Sequence, residues 1–257
     1  MNRIENLFRN KDKNILSVYF TAGHPTVDSM PLIVKSLAGA GADMIEIGMP
    51  FSDPMADGPV IQASSSAALK NGMNLRLLLG QLAEIRQQIE IPILLMGYLN
   101  PVLQYGMEAF CRDSAKAGVD GIILPDLPLQ VFCKEYKGLF EKYGLNNVFL
   151  VSPQTSPARI AELDREGSGF LYFVSSSSTT GMKNGFGPEH IRYFERISAL
   201  KLKNPAMIGF GISNSESFAT VCRYAHGAII GSAFVNMLSR SRNIEKDTKL
   251  FIENIRN

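Results

Sequence analysis

A short apolar run rich in β-branched residues, followed by a turn and an amphipathic stretch, recurs about eight times along the chain. Amphipathic stretches of this length form crossover helices, which return the chain to the same end of a sheet and make consecutive strands parallel. Eight such units predict an α/β fold, a closed (β/α)₈ TIM barrel. The predicted strands span residues 15–21, 44–48, 93–97, 121–124, 147–151, 170–175, 206–211 and 227–231.

An open, doubly wound sheet is the alternative fold for alternating strands and helices. That fold places a glycine-rich GxGxxG turn after the first strand, whereas residues 20–25 are Phe-Thr-Ala-Gly-His-Pro. No break in composition marks a linker between domains. We therefore expect one barrel domain over residues 1–257, a common length for this fold.

Local signals predict where some of the surrounding helices begin and end. Ser156 precedes a proline and predicts a capped helix start, and Gly167 predicts a left-handed exit from the same helix. Ser213 and Glu216 form the pattern of a capping box for a helix that ends near Tyr224. Both segments are predicted to be crossover helices.

The two ends of the chain carry signals for helices of a different kind. Ile4, Leu7 and Phe8 have helical spacing and predict a short N-terminal helix that plugs the bottom of the barrel. The last helix is predicted to begin near Ser232, directly after the eighth strand.

Composition excludes several classes of protein. A net charge of +2 without a long basic run argues against binding to nucleic acid or an acidic membrane. No run of 18 apolar residues occurs and the N-terminal residues lack the apolar core of a signal peptide, so we expect a cytoplasmic protein. The cysteines and histidines lack the spacing of a disulfide framework or a metal site, and no metal is assigned. They are Cys111, Cys133, Cys222, His24, His190 and His226.

Glu46 is the first candidate catalytic residue. In residues 44–48 the two-residue period of a strand directs Ile45 and Ile47 toward the helices and Glu46 into the barrel. An apolar interior disfavours ionisation of a carboxyl group and raises its pKa, which suits a group that both gives and takes protons. The alternative is an internal ion pair with a lysine or arginine.

The loop at residues 50–59 follows the strand that carries Glu46. It contains three prolines and the two aspartates Asp53 and Asp57, a combination that is stiff and acidic. Asp57 and Gly58 together are typical of a turn, which is the structural alternative. Because Asp57 lies at the carboxyl end of the same strand as Glu46, the two carboxyl groups can also reach one pocket and divide acid and base roles.

Glycines follow the last strands, at Gly181, Gly209, Gly211 and Gly231. Barrels bind phosphate with the loops after the seventh and eighth strands and a helix N-terminus, where backbone N–H groups face the anion. These glycines and Ser232 therefore predict a phosphate site, although strand-to-helix turns are rich in glycine in any case. The polar stretch 175–187 predicts a lid that excludes water, with a disordered loop as the alternative.

Residues 45–62, IEIGMPFSDPMADGPVIQ, carry a more specific signal. This segment resembles the signature of the tryptophan synthase alpha chain family around its two acidic catalytic residues. Shorter matches lie in the same order at residues 19–25, 96–101, 126–128, 209–213 and 231–233. The resemblance therefore covers nearly the whole chain.

The resemblance implies a lyase that cleaves indole-3-glycerol phosphate into indole and glyceraldehyde 3-phosphate by a retro-aldol reaction. Glu46 would move a proton between the glycerol hydroxyl and indole C3, and Asp57 would stabilise positive charge on the indole nitrogen. The resemblance also implies that the chain needs no cofactor of its own. Indole would pass to a beta chain that carries pyridoxal phosphate (PLP), within an alpha2beta2 assembly.

The same resemblance assigns further residues. It implies a contact to the beta chain at Asp53 and a closing loop that contains Thr180 and Gly181. That loop departs from the family pattern, with Ser178 in place of a common glycine and Thr179 in place of a common valine. The remaining implied substrate contacts are Tyr19, Met96, Tyr98 and Tyr172 around indole, and Gly211, Gly231 and Ser232 around phosphate.

Two other functions compete with this one. Phosphoribosylanthranilate isomerase and indole-3-glycerol phosphate synthase are barrels with similar phosphate loops, but they lack the signature at residues 45–62. A non-catalytic subunit that binds ligand and activates a partner chain needs neither Glu46 nor Asp57. The presence of both carboxyl groups favours an enzyme.

Overall fold

The computed structural model describes residues 2–175, 186–209 and 211–257. Its strands are β1 (Ile15–Thr21), β2 (Met44–Gly48), β3 (Ile93–Met96), β4 (Gly121–Ile123), β5 (Asn146–Asn147), β6 (Phe149–Val151), β7 (Leu171–Val174), β8 (Ala206–Gly209) and β9 (Gly227–Ile230). All described pairs are parallel, in the order β5-β4-β3-β2-β1-β9-β8-β7-β6. Only Val148 separates β5 from β6, so these two strands occupy one position in an eight-membered ring. The predicted barrel is confirmed, with strand ends within about two residues of those predicted.

Helices surround the ring of strands. They are α1 (Arg3–Asn10), α2 (Met30–Ala40), α3 (Pro59–Lys70), α4 (Leu75–Ile85), α5 (Leu99–Tyr105), α6 (Met107–Lys116), α7 (Leu129–Val131), α8 (Lys137–Lys142), α9 (Pro157–Glu166), α10 (Pro188–Ser198), α11 (Ser215–Cys222), α12 (Ser232–Leu238) and α13 (Ile244–Arg256). A 3₁₀ turn at Arg86–Gln88 ends α4, and a π-helical turn at Phe132–Tyr136 joins α7 to α8. Within the described ranges, no helix has the length and apolar character needed to cross a membrane.

Helix α1 closes the amino end of the barrel, as predicted. Ile4 is fully buried in the cluster of side chains that fills the barrel interior, and Leu7 and Phe8 pack against that cluster. The Phe8 ring lies 6.0 Å from the ring of Phe170, which precedes β7. The apolar positions of this short segment therefore seal the end of the barrel opposite the carboxyl ends of the strands.

Helix α9 begins as predicted but ends differently. The Ser156 hydroxyl caps it by accepting a hydrogen bond from the Arg159 N–H at 3.3 Å. Gly167 follows the helix with φ −79° and an extended backbone, so the predicted left-handed exit is wrong. A Cβ at this position would lie 2.8 Å from the Leu163 carbonyl oxygen, so close packing, rather than a positive φ, requires glycine here.

Helix α11 is capped one residue later than predicted. Asn214, not Ser213, is the N-cap: its side-chain oxygen accepts the Ser217 N–H at 2.9 Å, while the Ser217 hydroxyl accepts the Asn214 N–H at 3.2 Å. The helix ends at Cys222, two residues before the predicted end. An asparagine side chain completes the reciprocal bonds of a capping box as well as a serine does. The sequence pattern alone therefore does not decide which of the two adjacent residues caps the helix.

The C-terminal region contains two helices where one was predicted. Helix α12 does begin at Ser232, but it ends at Leu238. Asn243 then caps α13 by accepting the Lys246 N–H at 3.0 Å, and α13 is the last helix. Its Arg256 side chain donates to Asp43, which ties the end of the chain to the loop before β2.

Side chains alternate between the inside and the outside of the barrel as the strand period predicts. Ile45 and Ile47 of β2 pack in the cluster between strands and helices. Met44 packs instead in the inner cluster, and Glu46 shares its face of the strand. The orientation predicted for Glu46, toward the barrel interior, is confirmed.

Candidate active site

A cavity of about 220 Å³ opens at the carboxyl ends of the strands. Seven of the residues predicted to act in catalysis or binding line it: Tyr19, Asp57, Met96, Tyr172, Gly211, Gly231 and Ser232. Five lining residues were not predicted: Ile61, Ile212, Ser213, Ile229 and Ala233. These residues lie next to predicted loop residues or at inward-facing strand positions. Either position in the sequence could have identified them as lining residues. The cavity combines apolar walls with a carboxyl group and glycine-rich turns.

A larger cleft, of about 880 Å³, lies at the opposite end of the barrel beside α1. Several of its charged groups are engaged in ion pairs, such as Arg3 with Asp120 at 3.1 Å and Lys137 with Glu166 at 2.9 Å. The amino ends of barrel strands serve stability rather than catalysis. The smaller cavity is therefore the candidate active site.

Glu46 is fully buried in the barrel interior and does not line the cavity wall. Its Oε1 accepts a hydrogen bond from the Ser17 hydroxyl at 2.8 Å, and among the described residues Oε2 has no partner. No lysine or arginine of the described ranges forms an ion pair with it, so the alternative of an internal ion pair is wrong. Burial raises the pKa of Glu46 to about 8, and the Ser17 bond partly offsets this rise. The group is therefore largely neutral near pH 7.

This pKa predicts a pH-dependent stability. In the unfolded chain Glu46 ionises with its ordinary pKa of 4.5, but in the folded chain it ionises only near pH 8. The unfolded state thus releases a proton that the folded state keeps, and stability falls as pH rises through this window. We expect the free energy of unfolding of Glu46→Gln, relative to the natural chain, to rise by about 1.4 kcal/mol per pH unit across it.

Urea unfolding at several pH values measures this difference. Glu84→Gln is the matched control, because Glu84 is exposed on α4 and its replacement removes a carboxylate without touching the barrel. A Glu46→Gln difference that does not change with pH would contradict the raised pKa of Glu46.

Asp57 lies in the turn after β2. The two alternatives for this residue are both correct, because it forms a turn and also lines the cavity. Its N–H donates to the Pro54 carbonyl oxygen at 3.1 Å, which closes the turn. Its side chain lines the cavity and accepts a hydrogen bond from the Tyr98 hydroxyl at 3.1 Å. Burial raises the pKa of Asp57, and the Tyr98 bond opposes the rise.

Tyr98 reaches the site through Asp57 rather than by lining the cavity. Its hydroxyl accepts the Ala56 N–H at 2.9 Å and donates to Asp57, while its ring packs 5.3 Å from that of Phe51. These contacts join the acidic loop to the segment after β3 and fix the direction of the Asp57 carboxyl group. The predicted direct contact of Tyr98 with substrate stays a prediction.

Two tyrosine rings lie over glycines of neighbouring strands. A Cβ at Gly48 would overlap the Tyr19 phenol, and one at Gly209 would overlap the Tyr172 phenol. Each glycine lies two residues beyond the register partner of its tyrosine, so both rings lean toward the cavity. Gly209 thus makes room for the Tyr172 ring. The sequence predicted a phosphate-binding role for Gly209 and gave no sign of this packing role.

This packing predicts that Gly48→Ala disturbs the site. The new methyl group must displace the Tyr19 ring, which lines the cavity, so we expect kcat/KM to fall by roughly 10-fold or more. Overpacking should also cost about 1–3 kcal/mol of unfolding free energy. An activity assay on the substrate that the resemblance implies measures the first effect, and urea unfolding measures the second.

Gly39→Ala is the matched control for this substitution. Gly39 lies in α2, and a Cβ there meets nothing within 4 Å. The control should keep normal activity. Equal activity of the two variants would contradict the role of Gly48 in placing Tyr19.

Two glycine-rich turns face the cavity beside Asp57. Gly211 has φ +77°, a conformation that favours glycine, and it follows β8 after residue 210. Gly231 is the N-cap of α12 and has no side-chain cap bond, so first-turn N–H groups near Ser232 are not satisfied by a capping side chain. Both turns have the backbone character of an anion site.

Several predicted residues contribute elsewhere or lie outside the described ranges. Thr180 and Gly181 fall within residues 176–185, outside the described residues, as does most of the proposed lid. Asp53 is exposed on the surface loop, next to Met55, which is 91% exposed. His24 bonds Ser239 at 2.9 Å, away from the cavity lining.

The comparisons with known proteins identify the family. The family model described as tryptophan synthase alpha chain matches residues 6–257. The chain belongs to the tryptophan synthase alpha chain family. Every residue that lines the cavity falls within the matched range.

Curated members of the family are similar to the chain over nearly its whole length. The tryptophan synthase alpha chain of Flavobacterium johnsoniae is 56% identical over 241 residues, 94% of this chain and 95% of the relative. That of Phocaeicola vulgatus is 48% identical over 258 residues and covers 100% of both chains. The match is thus to whole proteins of this family.

Solved structures of the family are similar in fold. The crystal structure of the tryptophan synthase alpha chain from Legionella pneumophila subsp. pneumophila has a TM-score of 0.89 at 33% identity, covering 100% of this chain and 96% of that one. A crystal structure of tryptophan synthase from M. tuberculosis, in its aminoacrylate-bound form, has a TM-score of 0.86 at 29% identity, covering 100% of this chain and 98% of that one.

Proposed function

We propose that the chain cleaves indole-3-glycerol phosphate into indole and glyceraldehyde 3-phosphate. The observation that carries the proposal is a pair of carboxyl groups, one in the barrel interior and one in the cavity, which both interact with Tyr19 and Tyr172. Glu46 is buried and largely neutral near pH 7, while Asp57 lines the cavity with a hydrogen bond from Tyr98. The reaction needs one group that exchanges protons and another that offsets positive charge.

The reaction begins with neutral Glu46 in this proposal. Its proton passes to indole C3, which breaks the aromaticity of the five-membered ring and leaves positive charge at the indole nitrogen. Asp57 stabilises that charge. The Glu46 carboxylate then takes the proton of the adjacent glycerol hydroxyl, and the electrons of the carbon–carbon bond return to the ring. Indole and an aldehyde form, and Glu46 is neutral again.

The cavity lining fits the two ends of this substrate. Met96, Ile61 and Ile229 offer an apolar wall for the indole ring, which Tyr19 and Tyr172 extend. The backbone N–H groups near Gly211, Gly231 and Ser232 suit the phosphate. Thr180 and Gly181 are proposed to close the site from the loop after β7.

We further propose that this chain works without a cofactor of its own and delivers indole to a PLP-dependent beta chain. Asp53 is the proposed contact, because it is a charged, exposed residue of the loop that also carries Asp57. Docking at Asp53 would therefore act directly on the loop that places Asp57. The expected assembly is an alpha2beta2 heterotetramer.

Indole release from indole-3-glycerol phosphate by the purified chain, with and without a beta chain, tests the proposal. Release that accelerates with the beta chain supports both the reaction and the partnership. No release under either condition would contradict the reaction, and release that the beta chain leaves unchanged would contradict the coupling.

A further inference from the structure

Ser17 is a polar residue in an apolar layer of the barrel. It lies on β1 and is fully buried, and its register partners are Met44 on β2 and Ile229 on β9. Burial of a hydroxyl group without a partner costs free energy. Here the hydroxyl donates to Glu46 Oε1 at 2.8 Å, and this bond satisfies it.

We propose that Ser17 is a positioning residue for Glu46: it holds Oε1 and leaves Oε2 as the oxygen that exchanges the proton with the substrate. This role rests on the proposed function. It follows from the unequal surroundings of the two oxygens, since Oε2 has no hydrogen-bond partner among the described residues.

The donor fixes where the acidic proton lies. While the Ser17 hydroxyl donates to Oε1, that oxygen serves as the carbonyl oxygen of the neutral carboxyl group, and the proton lies on Oε2. Without Ser17 no described hydrogen bond distinguishes the two oxygens, and the carboxyl group can turn about its terminal bond. The proton would then face the substrate in only a fraction of molecules.

The other groups around Glu46 do not replace this donor. Tyr19 of β1 and Tyr172 of β7 interact with it electrostatically, and burial keeps both phenols neutral by raising their pKa values. Leu94 of β3, its register partner, is apolar. Asp57 interacts electrostatically with the same two tyrosines. Within the described ranges, Ser17 is the group that lowers the pKa of Glu46.

The bond matters in both halves of the proton exchange. After Glu46 has given its proton away, the Ser17 hydroxyl stabilises the carboxylate that remains. Ser17→Ala should therefore lower kcat by about tenfold, the effect of one ordinary hydrogen bond, and leave KM unchanged. Because neutral Glu46 begins the reaction, the decline of kcat/KM at high pH should move to higher pH in the variant.

Titration of the Glu46 carboxyl carbon by ¹³C NMR tests this role independently of catalysis. Glu46→Gln identifies the signal, which should titrate near pH 8 in the natural chain. It should move to higher pH in Ser17→Ala and by a smaller amount in Ser17→Cys, since a thiol is a weak donor. Ser17→Cys keeps a side chain of similar size and serves if Ser17→Ala fails to fold.

Ser114→Ala is the matched control. Ser114 is also a fully buried serine, on α6, and its hydroxyl has no partner among the described residues. The control should change neither the titration nor kcat. An unmoved Glu46 titration and an unchanged kcat in Ser17→Ala would overturn the role of Ser17, whereas failure of the natural chain to release indole would overturn the proposed function instead.

Discussion

Glu46→Gln is expected to lower the rate of indole release by roughly 10²- to 10⁴-fold, the range that a positioned acid–base group contributes. The amide has nearly the shape of the neutral carboxyl group, and it can still accept the Ser17 hydrogen bond. It cannot give a proton to indole C3 or take one from the glycerol hydroxyl. The loss should therefore fall on kcat.

A measurement of ligand affinity distinguishes this loss of turnover from general damage to the folded protein. The glycine-rich turns at Gly211 and Gly231 are untouched by the substitution, so affinity for glyceraldehyde 3-phosphate should stay within about twofold of the natural chain's. Isothermal titration measures that affinity, and an indole assay measures turnover. Near-normal turnover in Glu46→Gln would rule out Glu46 as the proton carrier.

Asp57→Asn is the second substitution with a large expected effect. It keeps the size of the side chain and an oxygen that can accept the Tyr98 hydrogen bond, but it removes the negative charge. Loss of one electrostatic contact to a charged transition state costs about 10²- to 10³-fold in kcat. Steady-state indole release measures this loss.

Asp53→Asn is the matched control, because Asp53 belongs to the same loop but is exposed. The isolated Asp53→Asn chain should release indole at the normal rate, while its acceleration by the beta chain should be reduced. An equal loss of activity in the two isolated variants would show that the charge of the loop as a whole, rather than the Asp57 carboxylate, supports the reaction.

The ionisation of Asp57 predicts a pH dependence of kcat/KM that distinguishes the natural chain from Asp57→Asn. Burial raises the pKa of Asp57, and the reaction needs its ionised form, so kcat/KM should fall as the medium becomes more acidic. Asp57→Asn should lose this acidic decline and keep the decline at high pH that belongs to Glu46. Persistence of the acidic decline in the variant would assign it to another group.

Local pattern was sufficient for the fold and for the direction of Glu46. The eight strands follow from the alternation of apolar runs and amphipathic stretches, which depends only on residues close in sequence. The inward orientation of Glu46 follows from the two-residue period of β2, whose neighbours Ile45 and Ile47 pack outside. Helix ends were less certain because adjacent residues such as Ser213 and Asn214 both have capping side chains.

The neighbours of each site residue depended on the tertiary structure. Ser17 lies 29 positions from Glu46, and only the register of β1 against β2 brings their side chains together. Tyr98 meets Asp57 across 41 positions, and Gly209 makes room for Tyr172 on the neighbouring strand. The sequence by itself determined the barrel and the family, and it predicted the two carboxyl groups as the catalytic pair. The hydrogen bonds and burial that set their pKa values were decided by strand register and packing, because these forces act between residues that are distant in the chain.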